Sequence, residues 1–170
     1  MIMTANIEVS SLFDLAAISI AAGQPDPEQR WYENGCLFVQ GVTQEALDAA
    51  LATYDPVQGE RVRLALLIAA RRYMAEIAGV TVGSISIDTD DRSKLLINGA
   101  AIEAMLDTNY VLRWKAEGGF VDLNAAQVIT VARTVRAHVQ ACFDREAELL
   151  AALDAGTFTD SMLDEGWPNG

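Results

Sequence analysis

Cysteine is scarce in this chain: 170 residues hold only Cys36 and Cys142, far apart and in no CxxC or other metal-ligand spacing. That excludes a disulfide scaffold and suits a reducing compartment. Cations are scarce as well. Twelve Lys and Arg stand against 24 Asp and Glu, a formal charge of −12, so polyanions are repelled and nucleic acid or an anionic membrane is a poor primary partner. No apolar run is long. The stretch Leu15–Ala22 is too short to span a bilayer, so no membrane insertion is expected. It follows Glu8 and Asp14 with no basic segment before it, and so does not read as a secretory signal. A single histidine, His138, leaves the usual nucleophile–base layouts incomplete. GxGxxG and Walker loops are missing, and Gly118-Gly119 is an isolated turn pair. Paired-carboxylate hydrolysis stays open on the acid count alone, because spacing does not say which acids meet. With every common catalytic layout missing, the chain reads as a non-enzyme with no cofactor.

What is present is apolar material: 51% of the residues are hydrophobic. A chain of this length buries roughly 70% of its unfolded surface, enough for one ordinary domain or a domain with an attachment arm. Residues 1–24 read as a strand or extended arm followed by an apolar segment, with Ile7-Glu8-Val9-Ser10 alternating and Leu12 to Ala22 mostly apolar. Pro25 and Pro27 break the chain. Residues Trp31–Val39 form an expected hairpin, since Asn34-Gly35 suits both central positions of a type I′ turn. Thr43 is a candidate N-cap for a helix over 44–53, which Tyr54-Asp55-Pro56 ends.

From Gly59 the pattern turns helical, with Val62, Ala65, Leu66, Ala69, Tyr73 and Ile77 on one face. Gly79 is placed to end that helix. A short hairpin is expected over 80–87 around Gly83-Ser84, then a helix near 91–107 containing Leu95, Ile102 and Met105. A second hairpin spans 112–123, a run that includes Glu117, with Gly118-Gly119 at its turn. Asn124 and Gln127 have capping-box spacing for a last helix from 125 to about 154, some 45 Å long. Its stripe includes Val128, Val131, Val135, Val139, Cys142 and Leu149, interrupted by Arg145 and Glu146. A helix this long is expected to overhang its domain and to pack on a partner or a neighbouring copy. Residues 155–170, with Phe158 and Trp167 among acids, read as a docking tail. The expected class is α+β, mainly helical, with short β-hairpins and a β-containing N-terminal arm. Its parts are an attachment region 1–58, a helical domain 59–154 and the tail 155–170.

Two clusters invite a metal reading. His138, Cys142 and Glu146 recur every fourth residue on one helix face, but a site needs ligands from another segment. They read as a helix–helix contact with Glu146 paired to an arginine. Asp88, Asp90 and Asp91 offer oxygen ligands, yet Ser93 and Gly99 stand where an EF-hand loop needs glycine and glutamate. Capping of the following helix accounts for the same acids. No metal site is expected.

The runs Glu76–Val82, Ile87–Ser93, Leu96–Ala100, Trp114-Lys115 with Gly119–Leu123, and Val135–Phe143 resemble an uncharacterised domain family of tailed-phage proteins. The resemblance extends over residues 76–153. That family is found in tail-fibre and tail-tip proteins and in prophage genes beside them. Trp31–Pro56 also looks like the small leading unit of such proteins. The resemblance implies a structural component of a phage tail, in the virion and assembled in the host cytoplasm, that attaches or adapts a fibre to the tail tip or baseplate. It implies other tail or fibre proteins as partners, and self-association as a dimer or trimer. The chain has no repetitive shaft or receptor-binding tip, which turns the expectation from receptor binding to a short adaptor. The alternative is a fibre-assembly chaperone that leaves before the virion matures; a tail-associated hydrolase is the third reading. Interface anchors are expected at Trp31, Phe38, Phe158 and Trp167, with ordinary hairpin packing the competing role for Trp31 and Phe38. On the last helix, the stripe Val135, Val139, Cys142 and Leu149 is expected as the helical contact face.

Overall fold

A computed structural model describes residues 3–9, 14–116 and 118–168. Ser10, Leu12 and Glu117, placed above in the first strand, the apolar segment and the second hairpin, lie outside them. The fold is α+β and mainly helical, with small antiparallel sheets. The chain divides into two compact units, Met1–Leu66 and Leu67–Gly170.

The first unit holds β1 (Thr4–Glu8), α1 (Leu15–Ala21), β2 (Arg30–Glu33), β3 (Cys36–Gln40) and α2 (Gln44–Thr53). Asn34 and Gly35 take φ of +50° and +82°, so the expected turn forms and sets the register Trp31 opposite Phe38. The N-terminal strand is no free arm. It pairs antiparallel with the far edge of β3, giving the order β1-β3-β2. Period-two alternation sends Leu37 and Val39 inward, where they join Ala5, Ile18, Leu47 and Ala50 in one core. Each helix is capped as its sequence demands: Asp14 Oδ1 accepts from the Ala17 amide at 2.9 Å, and Thr43 Oγ1 from the Ala46 amide at 3.2 Å.

The division between the units falls within α3 (Pro56–Glu76). This helix starts earlier than Gly59, because the proline that ends α2 also serves as a first helical residue, where its missing N–H is not needed. Asp55 Oδ1 caps it by accepting from the Val57 amide at 2.9 Å. The expected apolar face is not the buried one: Val62, Leu66 and Tyr73 are exposed, while Ile68, Ala75 and Glu76 are buried. The inward face carries charge, so hydrophobic periodicity points to the wrong side.

The second unit continues with β4 (Val80–Val82), β5 (Ile85–Ile87), α4 (Asp91–Leu106), β6 (Val111–Ala116), β7 (Gly119–Asn124) and α5 (Ala125–Asp154). Gly79, at φ +89°, ends α3 in the left-handed conformation. The hairpins β4–β5 and β6–β7 form separate two-stranded sheets. Ile87, Ile97, Ala100, Ala104, Leu123 and the α5 positions Val128, Val131 and Val135 form the core. Alanines at the inner face of α4 let the two helices approach closely. The Asn124–Gln127 capping box closes the start of α5, with bonds of 3.0 and 2.9 Å.

Buried positions on α5 run from Ala125 to Leu149, so the helix has no bare overhang. Residues beyond it fold back. Arg145 donates to the carbonyls of Glu165 and Met162 at 3.1 and 3.2 Å, and Trp167 Nε1 donates to Leu163 O at 2.7 Å. No described helix is long and apolar enough to cross a membrane.

Candidate functional site

Helix α4 has two apolar faces. Its start is fixed by Asp90, whose Oδ1 accepts from the amides of Arg92 and Ser93 at 3.0 and 3.1 Å. The Ser93 hydroxyl donates to the other carboxylate oxygen at 2.5 Å. That hydroxyl, followed by the Ser93 amide, holds the Asp90 carboxyl below the ordinary aspartate range. Asp91 instead meets Lys94 at 2.9 Å. The acid cluster is therefore divided between capping and pairing, and its carboxylates do not converge.

The inner face of α4 is buried against α5 through Ile97, Ala100 and Ala104. The outer face is apolar too, and exposed: Leu95 at 72%, Ile102 at 55% and Leu106 at 77%. A helix that is apolar all round is ordinarily buried all round. Leu96 and Met105 flank this stripe, and Phe120 on β7 adds a ring that is 71% exposed.

Between this face and the β6–β7 hairpin runs a groove of about 680 Å³. Tyr110, Trp114 and Phe120 supply its aromatic wall, and Asp88, Asp90, Arg92, Glu103, Arg113 and Lys115 its charges. The hairpin is stiffened by a bidentate cross-strand pair, Arg113 to Asp122, at 2.9 and 3.1 Å. The two hold each other ionised: Asp122 is lowered and Arg113 raised from their ordinary values by that bond. An exposed apolar helix face beside an aromatic groove is the composition of a protein-docking surface.

A buried charge network holds α4 in place. Glu76, 7% exposed, accepts from both Arg72 and Lys94. The Arg72 Nε atom lies 3.3 Å from Glu146 Oε2 on α5, and the guanidinium stacks over the Phe143 ring at 4.5 Å. Two cations and two anions, each mostly buried, thus balance across three helices. Burial pulls the Lys94 ammonium down, but the carboxylates of Glu76 and Asp91 outweigh it and raise the group above the ordinary lysine range.

His138 belongs to the same packing. Its Nε2 is 3.0 Å from the Ala75 carbonyl, so that nitrogen carries the donated proton. Burial, then the Glu76 charge, pushes the Cys142 thiol up. Among the described residues, no three His, Cys, Asp or Glu groups gather as a metal-holding set.

The residues expected at interfaces divide into two groups. Trp31 stacks on Phe38 across the strands, centroids 5.2 Å apart and planes within 4°. Trp31 remains 39% exposed on the outer face of the first sheet. Val135, Val139, Cys142 and Leu149 do not present a free face. Val135, Cys142 and Leu149 are buried within the chain and Val139 is half-buried, because the stripe serves the unit's own core. Phe158 and Trp167 are half-buried in the folded-back terminus. There the Arg71 guanidinium lies 5.7 Å from the centre of the Trp167 ring.

The sequence marks Leu95, Ile102 and Met105 as apolar residues of this helix, but no docking site is expected from the outer stripe, because an apolar helix face ordinarily packs inward. Its signal is in the sequence all the same. Leu95, Gly99, Ile102 and Leu106 recur at spacings of four, three and four, opposite Ile97, Ala100 and Ala104.

Residues 60–165 match the family model described as a domain of unknown function, DUF4376. No curated protein matches the chain, and no solved structure matches it.

Proposed function

The chain belongs to the DUF4376 family, and on that premise we propose that it is a structural component of a bacteriophage tail, attaching or adapting a tail fibre to the tail tip or baseplate. The observation that carries this reading is the exposed apolar outer face of α4 with its aromatic groove. Such a surface gains stability when another protein covers it. The resemblance to tail proteins over 76–153 falls within the 60–165 span of the family. In this reading the work is assembly, with no reaction and no cofactor, done in the host cytoplasm and retained in the virion tail. The Trp31–Phe38 stack gives the first unit its own contact surface for a tail or fibre partner.

An exposed apolar surface also suits a fibre-assembly chaperone, which covers a folding partner and then leaves. Quantitative mass spectrometry on purified particles separates the two. Stoichiometric presence relative to the major tail protein supports the tail component. Absence from particles with abundance in the lysate overturns it in favour of the chaperone.

A further inference from the structure

We propose that the outer face of α4 is covered by a second copy of this chain, the two α4 helices crossing antiparallel about a two-fold axis near Gly99. This rests on reading that face as a protein-docking surface, and it names the occupant.

Gly99 is the first observation. Glycine weakens a helix interior, and here no local need explains it. Its φ is not in the left-handed region, and a Cβ built there meets nothing within 4 Å. The residue is exposed at the centre of an otherwise large apolar stripe, with Leu95 and Leu96 before it and Ile102 and Leu106 after it. A missing side chain at such a point lets another helix backbone come close.

Charge is the second. Arg92, one turn before Leu95, and Glu103, just after Ile102, border the stripe on the same side of the helix, which faces the groove. They are eleven residues apart, about 16 Å along the axis, too far to pair with each other. Reversing a second α4 over the first places Arg92 of each copy by Glu103 of the other, with the midpoint close to Gly99. The face is thus complementary to itself, as an isologous interface requires.

Sedimentation velocity on the full chain, over a range of concentrations, tests this directly. The expected result is a monomer–dimer equilibrium. Arg92→Glu and Glu103→Arg should each weaken association on the order of tenfold, since each removes two symmetric pairs and sets like charges together. The double variant Arg92→Glu/Glu103→Arg should return association to near the starting value. Gly99→Gln, which puts bulk at the crossing, should weaken association while the melting curve of dilute protein keeps its cooperativity. A chain that stays monomeric throughout, or a dimer indifferent to both single charge reversals, overturns the proposal. Because this is read on pure protein, its failure leaves the tail assignment to be judged on particles, and the reverse holds too.

Discussion

The hydroxyl of Thr89 donates to the backbone carbonyl of Glu76 at 2.6 Å, and the same oxygen accepts the Gly79 amide at 2.9 Å. One fully buried side chain therefore closes the end of α3 and ties it to the loop that starts α4. Thr89→Val keeps the shape and removes both bonds. Leaving a buried carbonyl and amide unpaired is expected to destabilise the fold by about 1–3 kcal/mol, measured by urea unfolding. A change near zero would show that water or a backbone shift satisfies both groups.

The charge network at Glu76 gives a second prediction. Glu76→Ala leaves Arg72 and Lys94 under-compensated inside the protein, at an expected loss of about 3–5 kcal/mol. Glu76→Leu combined with Lys94→Met removes a cation with the anion. It should be much less destabilising than the single change, because Arg72 keeps Glu146. Denaturant melts of the three proteins check this; equal losses for single and double variants would contradict it.

Two helix glycines should respond oppositely to the same substitution. At Gly59 a Cβ would lie 1.9 Å from the Tyr54 hydroxyl oxygen, which accepts the Asp14 amide at 2.7 Å. Gly59→Ala should lower the melting temperature. At Gly99 nothing stands in the way, and Gly99→Ala should add up to about 1 kcal/mol of helix stability at concentrations where the chain is monomeric.

Acid sensitivity follows from Asp90. Its pKa is depressed in the folded chain by the Ser93 hydroxyl and amide, so the unfolded state takes up protons first. The stabilisation is complete above the ordinary value of 3.8 and is lost as pH falls through the lower folded value. Asp90→Asn keeps a capping oxygen but cannot titrate. Its stability should therefore fall less steeply between pH 5 and pH 2 than that of the parent, as read by thermal melts.

The two thiols should differ in reactivity. Cys142 is fully buried and its thiol is pushed up by burial and by the Glu76 charge, which suppresses the thiolate that attacks a disulfide reagent. Cys36 is only half-buried. Native protein should titrate one thiol quickly, at Cys36, and the second only on unfolding.

Local order was legible where one residue type decides the geometry. Asn34-Gly35 sets a turn, and Asn124 with Gln127 caps a helix. Alternation in Cys36–Gln40 gives a strand with one buried face. Long-range facts were not legible. Glu146 is expected to meet an arginine and does, but nothing in the order of residues names Arg72 as that arginine or brings Lys94 to Glu76, and the buried face of α3 is hidden by its own charges. The α5 stripe illustrates a further limit: periodicity shows that a face is covered but not by what. Val135 and Leu149 are covered from within the chain, whereas the outer α4 face, equally periodic, is not.

The proposed docking of this chain to tail or fibre proteins is open to one direct measurement. The sequence has two lysines. Lys94 is mostly buried in its ion pairs, while Lys115 is exposed at the rim of the groove. Amine cross-linking of purified phage particles, followed by mass spectrometry, therefore reads out what lies near that groove. Cross-links from Lys115 to a neighbouring tail or fibre chain or to a second copy are expected. Particles that contain the protein but yield no inter-chain link from Lys115, or no trace of the protein at all, would contradict that docking.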